Sequence, residues 1–281
     1  MEKLIDIIKK TTSYFLTKGI DHPQLTTELI FSHVLKCRRL DLYLQFDRNM
    51  QENVLAELRP LVLRRAKGEP IQYVLGESHF CDLKLKVTPD VLIPRPETEE
   101  LIEKITKIYQ NSLNIPLKIL DLGTGSGAIA LCLAQTFQNS QIIASDKSPA
   151  ALEIAKINAK RNGIQNVTFL ESDWFEKIEG VFDIIVSNPP YLTSDEWETA
   201  APEVKEHEPK IALVAEQEGA ADLIKILVTA KKYLKEGGLL CLESGIHHQS
   251  LLEQTAKDCS YSKYESLQDL SHRNRFFFAW S

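Results

Sequence analysis

Asn188-Pro189-Pro190-Tyr191 sets a primary amide, two residues without an N–H and a phenol ring side by side. These types suit transfer of a group onto a planar NH2. Such a nitrogen is a poor nucleophile because its lone pair is delocalised. It needs acceptors for both N–H bonds, a flat surface against its plane and an electrophile held in line. The Asn188 side-chain oxygen and a backbone carbonyl of Pro189-Pro190 can be the acceptors, and the Tyr191 ring can be the surface. The run before them, Phe182 to Ser187, reads as a buried parallel strand. Two prolines cannot continue a central ladder. The chain therefore leaves the sheet at its carboxyl end, where open α/β sheets bind ligands. Pro189 also restricts Asn188 to extended conformations. Asn and Pro are common in ordinary strand-ending turns as well, so these four residues need support from elsewhere.

That support is a second loop. Leu117 to Leu122 reads as a buried strand, Gly123-Thr124-Gly125-Ser126-Gly127 as a tight turn, and Ala128 to Ala134 as the start of a helix. The three glycines let the backbone turn sharply and approach a ligand where a Cβ would intrude. The next strand, Gln141 to Asp146, ends on an acid about 20 residues beyond the turn, where such folds hold ribose hydroxyls. NAD, FAD and S-adenosylmethionine enzymes all carry a turn of this kind. Three features favour S-adenosyl-L-methionine, with S-adenosylhomocysteine as product. The turn lacks the regular G-x-G-x-x-G spacing, Asp121 ends the first strand, and Asn188 to Tyr191 serves no obvious hydride chemistry. Asp173-Trp174 follows the third strand, Asn166 to Leu170; Trp174 can cradle adenine there or simply pack in the core.

The elements around these loops alternate strand and helix, which implies an α/β, Rossmann-like fold. Ser148 and Pro149 cap and open the helix after Asp146. Leu239 to Glu243 is a fifth strand, and Tyr264 to Leu267 and Phe276 to Trp280 complete a seven-stranded, mostly parallel sheet with an antiparallel edge. Residues 1–75 carry only helical periodicity and read as a separate bundle, with His33 on its apolar face as a core histidine. Residues 76–93 read as a β-hairpin linker with its turn at Cys81-Asp82, and 94–281 as the second domain. Arg95 and Glu97 sit where linker and domain meet, with an ion pair as one reading. Residues 203–210 read as a charged loop flanking the site.

The chain of 281 residues is 43% hydrophobic and 26% charged, with a formal charge of -6, which argues against broad capture of nucleic acid. No apolar run is long enough to span a membrane. Five scattered cysteines without a CxxC pair read as reduced thiols of a cytoplasmic protein, and no His/Cys/Asp cluster has metal-ligand spacing.

Gly-Glu-Pro-Ile-Gln-Tyr at 68–73, Leu-Ile-Pro-Arg-Pro-Glu-Thr-Glu at 92–99, Asp-Leu-Gly-Thr-Gly-Ser-Gly-Ala-Ile-Ala at 121–130, Ser-Asp-Trp-Phe at 172–175 and Val-Ser-Asn-Pro-Pro-Tyr at 186–191 resemble the HemK/PrmC family. Its members are peptide chain release factor N(5)-glutamine methyltransferases. The loop at 188–191 is shared with N(6)-adenine DNA methyltransferases. The stretch at 93–99 joined to a helical domain is more specific. The resemblance implies a class I S-adenosylmethionine-dependent methyltransferase domain behind an amino-terminal substrate-recognition domain. It implies cofactor contacts from Gly123 to Gly127, Asp146, Trp174 and Asn188. It also implies that Asn188 to Tyr191 hold the glutamine of a Gly-Gly-Gln loop in a class I release factor. A nucleic-acid amino-methyltransferase using the same loop, and a cofactor-binding regulatory protein without catalysis, are the competing readings. The net charge weighs against the first and the intact Asn188 loop against the second.

Overall fold

Helical periodicity without strand signals dictates the first part of the chain, and long apolar runs between turn residues dictate the second. The computed structural model describes residues 2–281; Met1, the first residue of the expected amino-terminal helix, lies outside them. The chain divides into two compact units. One contains the residues up to Gly76 and Ala201–His207; the other contains Glu77–Ala200 and Glu208–Ser281.

The first unit is built from α1 (Leu4–Thr17), α2 (Pro23–Leu35), α3 (Arg39–Leu44), α4 (Glu52–Ala66) and α5 (Ile71–Leu75). Leu4, Phe15, Ile30, Phe31 and Leu58 fill its core. Glu28 is buried with them, which raises its carboxyl pKa, but hydrogen bonds from Tyr43, Arg39 and Gln24 outweigh burial and hold it below the usual range. His33 is not part of this core. It is exposed in the last turn of α2.

The second unit opens with β1 (Glu77–Phe80) and β2 (Leu83–Lys86), an antiparallel hairpin with its turn at the expected place. It continues with α6 (Pro96–Ile108), β3 (Lys118–Leu122), α7 (Ala128–Thr136), β4 (Gln141–Asp146), α8 (Pro149–Arg161), β5 (Val167–Glu171), β6 (Phe182–Ser187) and α9 (Ser194–Thr199). α10 (Pro202–His207) belongs to the first unit. α11 (Ala221–Ala230), β7 (Leu234–Glu243), α12 (Gln249–Asp258), β8 (Lys263–Gln268) and β9 (Asn274–Trp280) complete the second.

Among the described residues the large sheet has seven strands in the order β5-β4-β3-β6-β7-β9-β8. β9 runs against both neighbours and every other pairing is parallel. The reversed strand is thus one in from the edge, and β8 is the edge itself. Side chains alternate between the two faces. Ile119, Ile184 and Val186 pack with α6 and α7, whereas Leu120, Leu122 and Ile185 pack with α11 and α12. Burial on both faces accounts for the unbroken apolar runs. Chain order reverses between β3 and β6, and this is the crevice where such sheets take ligands.

The hairpin is not a free linker. Phe80, Leu83 and Leu85 are each about 1% exposed or less and lie in the core of the second unit. Asn158 of α8 pins it. The Asn158 side chain accepts from Lys86 N at 2.6 Å and donates to the carbonyls of Lys86 at 3.0 Å and Ser126 at 2.9 Å. Asn158→Ala leaves these buried backbone groups unpaired, at roughly 1–3 kcal/mol. Denaturant unfolding checks this, and an unchanged midpoint at unchanged slope would refute the pinning role.

Residues 203–210 are also not a loop throughout. Pro202 supplies the first position of α10, a place where proline's fixed φ suits a helix. Glu203 pairs with the buried Arg65 at 2.9 Å within the first unit.

Candidate active site

Leu122 of β3 pairs with Ser187 of β6, so Gly123 and Asn188 leave the sheet side by side. The Ser187 hydroxyl donates to the Leu122 carbonyl at 2.7 Å and fixes the two strand ends together. Beyond them lies a cavity of about 440 Å³. Gly123, Thr124, Gly125, Ser126, Asp146, Trp174, Asn188, Pro189 and Pro190 all line it.

Hydrogen bonds set the glycine turn. The amides of Gly123 and Thr124 both donate to the Ser145 carbonyl at 2.9 Å. Asp146 joins the turn to the next helix. Its Oδ2 accepts from Gly125 N at 2.8 Å and its Oδ1 from Ser148 N at 2.9 Å. Each carboxylate oxygen keeps a further lone pair. Asp121 is fully buried beneath the turn and accepts from the Thr124 hydroxyl at 2.6 Å and Ala130 N at 3.1 Å. Burial pushes its carboxyl up to about 7 against those two bonds, and its Oδ1 has no partner.

Trp174 takes a left-handed backbone, φ 47°, and its indole N–H donates to Asp222 Oδ1 at 3.0 Å. Its ring lies against Gly123, where an added Cβ would stand 3.5 Å away. Trp174 packs against the core and also lines the cavity.

Two expected site residues stand behind the cavity instead of lining it. Gly127, at φ 84°, faces Ala155 and Leu131; a Cβ there would come within 3.2 Å of each. Its role is close packing of the turn on α8. Tyr191 is not the surface against the cavity. Its hydroxyl donates to Glu243 Oε1 at 3.0 Å, and its ring lies under the Arg275 guanidinium at 5.9 Å.

The sequence reading missed several residues here. Thr98, 4% exposed, accepts from Asn188 Nδ2 at 3.2 Å and donates to Glu243 Oε2 at 2.7 Å. Glu243 ends β7 at 1% exposure, and burial raises its carboxyl pKa. The acid at the end of the apolar run Leu239 to Leu242 was the available signal. Arg95 pairs not with Glu97 but with the buried Glu208 at 2.7 Å. Glu208 also accepts from Ile93 N at 3.4 Å, so Arg95 and Ile93 are tied to the segment whose Pro209, Ile211 and Ala212 line the cavity. Among the described residues no group of His, Cys, Asp and Glu is arranged to hold a metal ion, and no helix is long and apolar enough to cross a membrane.

The arrangement offers apolar walls, backbone amides and a few aimed polar groups. An adenosyl group fits these residues. Trp174 supplies a ring, Asp146 supplies spare acceptors near the turn, and the bare Cα of Gly125 leaves open space, with nothing within 4 Å of an added Cβ. Asn188 supplies one acceptor in the same cavity.

Residues 115–275 match a family model described as a methyltransferase domain, and residues 6–76 match one described as the PrmC N-terminal domain. The chain is 40% identical over 241 residues to the release factor glutamine methyltransferase of Geobacter sulfurreducens, across 85% of this chain and 83% of that protein. It is 36% identical over 283 residues to the one of Chlorobaculum tepidum, across 97% and 95%. A solved methyltransferase structure from Pyrococcus furiosus aligns at TM-score 0.52 and 18% identity, over 71% of this chain and 89% of that one, a likeness of fold.

Proposed function

The chain belongs to the release factor glutamine methyltransferase family, and on that premise we propose that it methylates the side-chain nitrogen of the glutamine in the Gly-Gly-Gln motif of class I release factors. It is an S-adenosylmethionine-dependent methyltransferase with the class I fold of that enzyme group. The observation that carries the finer reading is Asn188. Its NH2 is held by Thr98, which leaves its carbonyl oxygen for a substrate N–H beside the glycine turn.

S-adenosylmethionine, when bound, would supply an electrophilic methyl group and carry away the bonding electron pair on its sulfur. Gly123 to Ser126, Asp146 and Trp174 would hold the adenosyl part. Gly127 supports the turn from behind. Asn188 Oδ1 and a carbonyl of Pro189-Pro190 accept the two substrate N–H bonds and fix the nitrogen in line. The same acceptors stabilise positive charge as it develops there. The methylated nitrogen then loses a proton to water, so no strong general base is required. Tyr191 anchors the loop through Glu243. Residues 1–75 recognise the body of the release factor, and the enzyme works in the cytoplasm beside translation termination.

Incubation with methyl-labelled cofactor, a class I release factor and ribosomal RNA or DNA together tests this. The label is expected on the Gly-Gly-Gln glutamine alone. Label in the nucleic acid, with none in the protein, would overturn the reading.

A further inference from the structure

We propose that Thr98 is a positioning residue that fixes which end of the Asn188 amide faces the cavity, with Glu243 setting its direction. The inference rests on the reading of Asn188 as the acceptor for the substrate amide.

An amide side chain presents a donor on one side and an acceptor on the other, and the two are nearly equal in shape. An asparagine that must accept from a substrate therefore needs something to prevent rotation by half a turn. The hydrogen bonds around Thr98 provide it. Arg275 Nη1 donates to the Tyr191 hydroxyl at 3.5 Å, and that hydroxyl donates to Glu243 Oε1 at 3.0 Å. From the other side, Asn188 Nδ2 donates to Thr98 Oγ1 at 3.2 Å, and Thr98 Oγ1 donates to Glu243 Oε2 at 2.7 Å. Every hydrogen in the chain points toward Glu243.

A carboxylate only accepts. Thr98 has one hydroxyl hydrogen, and Glu243 takes it. What Thr98 offers Asn188 is a lone pair, which matches NH2 and repels a carbonyl oxygen. The rotated amide would set two acceptors against each other in a buried place: Thr98 is 4% exposed and Glu243 is 1% exposed. An unmade bond is most costly in such surroundings. Among the described residues no donor reaches Asn188 Oδ1, so the oxygen is left for a ligand.

The arrangement also explains why a carboxylate lies buried at the end of β7. Burial, with Glu97 adding to it, raises the Glu243 carboxyl pKa, although Thr98, Tyr191 and Arg275 act the other way. Two hydroxyl donors reach its two oxygens, and the Arg275 guanidinium lies nearby.

The test uses the full-length enzyme and a class I release factor. Single-turnover methylation and release-factor affinity are measured for Thr98→Val, Thr98→Ser, Asn188→Ala and the double variant Thr98→Val/Asn188→Ala. Valine matches threonine in shape but has no hydroxyl. Thr98→Val is expected to slow methylation about 10- to 100-fold at unchanged release-factor affinity. Thr98→Ser is expected to restore most of that loss. In the Asn188→Ala background Thr98→Val should cost nothing further, because no amide remains to be oriented.

A Thr98→Val rate equal to wild type, with Asn188→Ala slow, would overturn the inference and leave the reading of Asn188 standing. An undiminished effect of Thr98→Val in the Asn188→Ala background would make Thr98 merely structural and overturn it too. Wild-type rate in Asn188→Ala would overturn both. Thr98→Ala gives the same comparisons if Thr98→Val does not fold.

Discussion

Replacing Asn188 by alanine is expected to slow single-turnover methylation about 100- to 1,000-fold while leaving release-factor affinity nearly unchanged. The side chain reaches only the reacting amide, whereas a protein substrate is held over a wide surface. Its contribution grows as charge develops on nitrogen, so the loss belongs in the chemical step and not in binding. The loop itself survives the change. Pro189 and Pro190 keep its backbone, and Tyr191 keeps its bond to Glu243. Asn188→Asp sharpens the comparison. It retains an acceptor, but Thr98 then stands between two carboxylates with one hydrogen to give, and Glu243 is already buried. We expect it to be no better than alanine. Stopped-time methylation with enzyme in excess, alongside calorimetric titration with release factor, gives both numbers. An alanine variant within about twofold of the wild-type rate would mean that Asn188 does not orient the amide.

What could be read from the sequence was what local chemistry decides. The apolar runs of β3, β4 and β6, the glycine turn and the double proline constrain the backbone within a few residues, and each lies where it was expected. Contacts between distant residues were not legible. Arg95 and Glu208 are 113 positions apart, and Thr98 and Glu243 are 145 apart. Nothing in the spacing separates Gly125, whose added Cβ meets open space, from Gly127, which backs onto Ala155. The ring of Tyr191 looked available as a surface because the partner that claims its hydroxyl lies on another strand. The hairpin was visible as alternation, but its docking depends on Asn158 of a helix 72 residues further on. α10 was read as a loop because it is short, charged and opens with proline. At a helix's first position that proline is a start signal, not a breaker.

The glycine turn and β4 meet at Asp146, and its replacement carries the other large effect. Asp146→Ala is expected to weaken S-adenosylmethionine binding on the order of 100- to 10,000-fold. The range follows from two charge-assisted hydrogen bonds to ribose hydroxyls at roughly 1.5–3 kcal/mol each. The structure adds a second cause. Asp146 already accepts from Gly125 N and Ser148 N, so alanine also frees the turn that carries the cavity wall. The two causes separate by comparison. Asp146→Asn keeps one carbonyl acceptor for the backbone and removes the charge. It should fall between wild type and alanine in cofactor affinity, with a melting temperature closer to wild type when cofactor is absent. Calorimetry with the cofactor alone reads the affinity, and thermal unfolding without it reads the turn. If Asp146→Ala bound cofactor like wild type, Asp146 would be a brace for the glycine turn and not a ligand, and the ribose would have to be held by backbone groups alone. If it lost affinity and stability while Asp146→Asn lost neither, the carboxylate charge would be irrelevant and only an acceptor at that strand end would matter. The expected pattern, a graded loss of affinity with a smaller loss of stability, arises only if the acid does both jobs at once.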